Sequence, residues 1–343
     1  MRDPRLLNTT PAGLRRALWL LTLVAAMAHG QPAPVPELKM TVAVGTAFPL
    51  GKAAQRWSEL LTERAQRAFT VKLYPGATLA QRDAAQEFRV LKSGGADLAA
   101  GSALAWSDPF PPLGVVALPW LAPTARQLDA VVGDPRVTSQ LADSLAAQGI
   151  VLVALVPLGH RELAANVPVR ALADLAGLRV RAPTTPLIQQ TYVAAGARPA
   201  VASFADAQAA LQAGTLDAQD GMPTALVAAR VWGNGLRHAT QWGAFADAIV
   251  FAVRATVWQG WPEPVRAAAR EAAGQAAREA MAADREEAAL AELAHNGVTI
   301  TRMTPAGHAA FRAAVRDVYT RWTPAIGAPL VEAAQAAARA AAP

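Results

Sequence analysis

Cysteine is absent from the 343 residues. Disulfides, thiolate metal sites and cysteine nucleophiles are thereby excluded. Charge is also scarce: 17% of residues are Asp, Glu, Lys or Arg, against 53% hydrophobic, where typical soluble chains carry about 25% charged residues. Such a chain is too apolar to be intrinsically disordered, and its length accommodates about two domains with a sizeable core. No run of Lys or Arg with interleaved aromatics occurs, so the electrostatic footprint of a nucleic-acid binder is missing. HExxH, GxSxG and GxGxxG are missing as well. The stretch Gly45 to Lys52 imitates a P-loop but has five residues between its glycines, with Ala53 where a magnesium-binding hydroxyl would stand. The five histidines (His29, His160, His238, His295 and His308) lack the spacing of a metal site. Nothing assembles a nucleophile, a base and an orienting group, so an enzyme is not expected, and no cofactor or metal is implied.

What the chain does have begins at its N-terminus. Arg15-Arg16 precede an apolar run from Ala17 to Ala28, followed by small residues suited to cleavage after Ala28 or Gly30. Residues 1–30 read as a secretory signal peptide. The run is short of the about 20 residues of a comfortable membrane span, although an N-terminal anchor is the alternative. Residues 31–37, rich in proline, read as a linker. The expected location is the periplasm.

The remainder alternates strand and helix patterns, which indicates an α/β fold. Strands are expected at Leu38–Val44, Phe69–Leu73, Ala96–Ala99, Ile150–Val156, Leu178–Arg181, Ala248–Val253 and Val298–Arg302. Helices are expected at Lys52–Ala68, Arg82–Ser93, Gln127–Gln148, Pro186–Ala195, Ala205–Ala213, Pro305–Trp322 and Ala328–Ala342. Between Pro262 and Asn296 one long helix is expected, with Val265, Ala269, Ala272, Ala276 and Ala280 on one face. At 1.5 Å per residue it would run roughly 50 Å, enough to lie across two domains.

Several segments then become specific. Gly177-Leu178-Arg179-Val180-Arg181-Ala182-Pro183 follows Asp174-Leu175, and Phe204 to Gln219 carries Ala-Leu-Gln-Ala-Gly-Thr-Leu-Asp-Ala-Gln. Leu118-Pro119-Trp120-Leu121, Gly159-His160-Arg161-Glu162-Leu163 and the Gly-Ala-Asp-Leu ending at Leu98 complete the set. In order and spacing these resemble the DctP-type solute-binding proteins of TRAP transporters over about residues 40–325. The resemblance implies an α/β fold of two lobes, the periplasmic-binding-protein architecture, with hinge strands and one long helix spanning both lobes. Lobe I would comprise 38–157 plus about 246–283, and lobe II 158–245 plus about 284–343. It implies capture of a small organic acid, usually a carboxylate, and delivery to the small and large membrane subunits of the transporter. A periplasmic sensor subunit, or an exported enzyme on the same scaffold, are the alternative readings.

For the site, Arg181 matches the family's carboxylate-holding arginine. A guanidinium at a strand end presents a planar fork that fits a carboxylate, while a structural ion pair is the alternative. Arg161 matches a second arginine that contacts the carboxylate in some members. The family's asparagine is lost where this chain reads Gln219-Asp220-Gly221-Met222, so Gln219 or the backbone at Gly221 is expected to replace it. Trp106, Trp242 and Phe245 are expected to line the remainder, with Trp120 in the core. An aromatic lining would suit an acid with a hydrophobic tail.

Overall fold

The computed structural model describes residues 35–342 apart from 66–67, 203 and 282–283. The expected signal peptide, and the linker up to residue 34, lie outside the described residues. Residues 37–343 form one compact unit built on a single sheet of nine strands. These are β1 (Glu37–Thr41), β2 (Thr70–Tyr74), β3 (Leu98–Ser102), β4 (Ile150–Ala165), β5 (Arg179–Ala182), β6 (Arg198–Val201), β7 (Ala218–Gly221), β8 (His238–Arg254) and β9 (Thr299–Arg302). Their order is β2-β1-β3-β8-β4-β7-β5-β6, with β9 added to β8.

The two central strands organise everything else. β4 has 16 residues and β8 has 17, well beyond the usual five or six. They run antiparallel, from Ile150 opposite Arg254 to Ala165 opposite His238. The first part of β4 and the last part of β8 belong with β3, β1 and β2. The last part of β4 carries β7, β5 and β6, and the first part of β8 carries β9. Sequence pattern captures only a fragment of each strand, because Pro157 and Gly159 in β4 and Gly243 in β8 look like breaks. The pair passes through them by shifts of register at Leu152/Ala154, Pro157/Gly159 and Arg161/Leu163; such bulges bend a strand without ending it.

In the first half of the sheet, the helix Pro49–Arg64 packs on the helix Glu263–Ala280. Alanines 269, 272, 273, 276, 277 and 280 are buried there, which lets the backbones approach closely. Trp57 crosses this contact: its indole N–H donates to the Ala269 carbonyl at 3.2 Å and its ring meets Phe251 edge-on at 5.0 Å. Burying a side chain such as Phe251 contributes on the order of 1.5–3 kcal/mol.

The expected single helix from Pro262 to Asn296 is corrected to two, Glu263–Ala280 and Asp284–His295. The physical reason is a displaced stripe. The buried face of the first helix would continue at Glu287, Ala288 and Ala291, which are exposed, whereas Ala289 and Leu293 are buried. The second helix packs instead on Pro223–Ala228 and β9. The expected Gln127–Gln148 helix is likewise two, Ala125–Gly133 and Pro135–Ala146. Asp134 caps the second through the Arg136 N–H, and Pro135 fills its first turn.

Candidate functional site

Where the two halves of the sheet meet, a cavity of about 500 Å³ opens, lined by Ser102, Leu104, Leu158, Arg161, Arg181, Gly221, Met222 and Asp247 among others. The topology explains the convergence. Arg161 sits in β4, Arg181 in β5, Gly221 at the end of β7, and Asp247 in β8 opposite Gly159. Ser102 ends β3 and caps the short helix Ala103–Trp106.

The charges are held by neighbours rather than by solvent. Asp220 is fully buried; its carboxylate accepts from Arg161 Nε and its main-chain oxygen accepts from Arg161 Nη2 at 3.2 Å. Burial pulls the Arg161 guanidinium down, but Asp220, by its charge and its hydrogen bond, more than offsets this and leaves the group raised. Arg181 is 6% exposed, and its Nε donates to the Ala202 carbonyl at 2.9 Å. Burial lowers its pKa, with Asp220 opposing and the charge of Arg161 adding to the effect. The cavity therefore holds two cations close enough to repel, Arg181 buried and Arg161 partly buried, with the fully buried carboxylate of Asp220 paired to Arg161. An anion entering here meets both guanidiniums in a poorly screened setting.

Asp247 is the second buried carboxylate. Its Oδ2 accepts from Ser102 Oγ at 2.6 Å, and its Oδ1 from the Leu104 and Ala248 N–H groups at 3.0 and 2.8 Å. Burial raises its pKa; Ser102, the Leu104 N–H, Arg161 and the Ala248 N–H work against that.

The expected site residues separate into two groups. Arg181, Arg161 and Gly221 line the cavity together. Trp106, Trp242, Phe245 and Gln219 are absent from its described lining. Trp106 is buried beneath the site, edge-on to Phe88 at 5.6 Å, with Gly101 against its ring. Trp242 lies within β8, where its indole N–H donates to the Arg161 carbonyl at 3.0 Å and its backbone N–H to Glu162 at 2.8 Å. Phe245 and Tyr192 flank it, each with ring centroids 5.9 Å away. These aromatics form a wall behind Arg161, and the only aromatic ring in the described lining is Phe48. Gln219 is buried beside Arg181 in the β5–β7 register, and its side-chain oxygen accepts from Gln208 at 3.1 Å. Trp120 is in the core, as expected, edge-on to Trp242 at 5.6 Å.

Sequence reasoning missed Asp220 and Asp247 as site residues. A signal existed for the latter: it is the sole acid between His238 and Arg254, inside an otherwise apolar stretch.

A two-half α/β sheet with an arginine-lined cavity at the junction defines a ligand-binding protein of the solute-receptor class. The chain belongs to the DctP family, the bacterial extracellular solute-binding proteins of family 7, whose model matches residues 40–324. These are binding proteins, not enzymes. A TRAP periplasmic solute-binding protein from Ralstonia eutropha, solved with bound (S)-2-acetolactate, is 34% identical. It covers 89% of this chain and 99% of its own, with a TM-score of 0.81. A second, from Ochrobactrum anthropi, solved with its C-terminus in the ligand pocket, is 25% identical over 89% of this chain and 95% of its own, also at 0.81. The C4-dicarboxylate-binding periplasmic protein DctP of Rhodobacter capsulatus is 27% identical over 331 residues, 92% of this chain and 96% of its own length.

Proposed function

We infer that this solute-binding protein captures an organic monoanion, a carboxylate, in the cavity between the halves of its sheet. Arg181 is the anchor and Arg161 the supporting cation. The observation that carries the reading is the pair of guanidiniums, Arg181 buried and Arg161 partly so, that line a cavity of about 500 Å³. A guanidinium presents parallel donors that match a carboxylate. Gly221, without a side chain, leaves the end of β7 open to the ligand, and the aromatic wall of Trp242 and Phe245 keeps Arg161 in place from behind. The carboxylic acid bound by the Ralstonia relative supports the same class of ligand here.

The two halves act as lobes, one of residues 38–157 with about 246–283 and the other of 158–245 with about 284–343. They close about the β4–β8 crossing in a hinge motion, and closure strengthens the ion pairing by excluding water. Residues 1–30 direct export, the mature chain works in the periplasm, and it hands its ligand to the small and large membrane subunits of a TRAP transporter. The family supports these partners, and the periplasmic relatives support the location.

Thermal shifts of the mature protein against a panel of organic acids, neutral sugars and amines test the reading. A ligand that binds only the folded state raises the melting temperature by mass action. A shift with one class of carboxylate is expected; shifts only with sugars or amines would overturn it.

A further inference from the structure

The cavity contains a group that anion capture does not need: the buried carboxylate of Asp247, 3% exposed. A carboxylate offers about four acceptor positions. Three are occupied, by Ser102 Oγ, the Leu104 N–H and the Ala248 N–H. These contacts fix its orientation from β3, from the helix Ala103–Trp106 and from its own strand. One acceptor position is left on a residue that lines the cavity. The lining also includes the apolar Leu104, Ala105, Leu158 and Met222; the polar groups that act on Asp247 from the lining are Ser102, whose hydroxyl is already donated to it, and Arg161, whose Nε is donated to Asp220.

We propose that Asp247 sets the specificity of the cavity: it accepts a hydrogen bond from a hydroxyl of the bound acid and repels a second carboxylate. The assignment rests on the reading that Arg181 and Arg161 hold the ligand's carboxylate. A buried hydrogen-bond acceptor discriminates strongly against a ligand lacking the matching donor, because it is then left unpaired. A second carboxylate placed there would face a like charge beside an Arg161 already paired to Asp220, which is selection by repulsion. The substrate class that follows is a hydroxylated monocarboxylic acid. The exposed Arg82 also lines the cavity, but an exposed cation offers a second carboxylate little net attraction.

The test compares ligands matched in length: valerate, its 2-, 3- and 4-hydroxy derivatives, and glutarate, titrated calorimetrically into the wild-type protein and Asp247→Asn. In the wild type, at least one hydroxyvalerate is expected to bind fivefold or more tighter than both valerate and glutarate. A smaller preference overturns the proposal. In Asp247→Asn the amide removes the repelling charge and can donate to a carboxylate, so glutarate is expected to gain at least fivefold relative to that hydroxyvalerate. An unchanged ratio in a folded variant contradicts the assignment. Should the variant not fold, the wild-type series decides. Equal binding of all the acids overturns this proposal alone; binding of none also overturns it, and the carboxylate reading falls with it only if the wider thermal-shift panel responds to sugars or amines alone.

Discussion

Arg161 commits two of its nitrogens to Asp220, one to the carboxylate and one to the main-chain oxygen. The guanidinium is thereby oriented before any ligand arrives, and an anion need not order it on binding. Removing Asp220 leaves a largely buried cation without its hydrogen-bonded carboxylate. Breaking such a pair typically costs 3–5 kcal/mol. Asp220→Ala is therefore expected to lose stability of that order in urea denaturation, and Asp220→Asn, which can still accept hydrogen bonds, distinctly less.

Two arginines two positions apart in β5 are expected to behave differently. Arg179 faces Asp217 at 2.7 Å with its side chain 45% exposed, and also donates to the Gly214 carbonyl. An exposed pair of this kind is worth about 0–1 kcal/mol, and Arg179 is absent from the described cavity lining. Arg179→Ala is expected to leave ligand affinity within about twofold. A tenfold loss measured by calorimetry would contradict the placement.

Buried carboxyls give the stability a pH dependence of definite sign. Glu87, hydrogen-bonded by Thr41, and Glu162, hydrogen-bonded by the Trp242 N–H, are each pushed by burial from 4.5 to about 8. The native state keeps protons that the unfolded chain releases. Their stabilisation is full below about pH 4.5 and is lost as pH rises toward 8, each group on the order of 1 kcal/mol per pH unit. Asp217, lowered to about 2 first by its hydrogen bond from Arg179, is lost only in acid below its ordinary 3.8 and does not interfere. Burial holds His160 and His308 below their ordinary 6.5, which opposes this trend in acid but not above about pH 6.5. The melting temperature of the ligand-free protein should therefore fall between about pH 6.5 and 8, and Glu162→Gln should flatten the slope. A profile rising over that range would contradict the assignment.

Gly101 is set against Trp106 so closely that an added Cβ would lie 2.1 Å from the indole ring. Trp106 is buried against Phe88. Gly101→Ala is expected to destabilise by about 1–3 kcal/mol, the usual range for overpacking. Because Ser102 follows it and orients Asp247, ligand affinity should fall too. Equilibrium denaturation and calorimetry on the same variant check both effects.

Much of this architecture was legible in the sequence where the signal is local. The strand with Arg179 and Arg181, the helix with the Ala269–Ala280 stripe, and the pairing of Arg181 with Arg161 in one cavity all follow from residues close in the chain or from matched motifs. The length of β4 and β8 was not legible, because Pro157, Gly159 and Gly243 mark breaks locally while neighbouring strands on both sides hold the pair together. The roles of Trp106, Trp242 and Phe245 were hidden for a related reason. An aromatic residue near a cleft motif faces the ligand or backs the wall depending on strand twist and bulges, which pattern alone does not encode. Asp220 and Asp247 became meaningful only once β7 and β8 were placed beside β4.

The central claim is that Arg181 holds the ligand's carboxylate. Its most direct test is titration calorimetry of the tightest-binding acid into the wild-type protein and a folded Arg181→Ala variant. Truncating one partner of a buried hydrogen-bonded charge pair costs roughly 2–5 kcal/mol, so affinity should drop by about 30-fold to several thousandfold. A loss under about threefold would show that the carboxylate is held elsewhere.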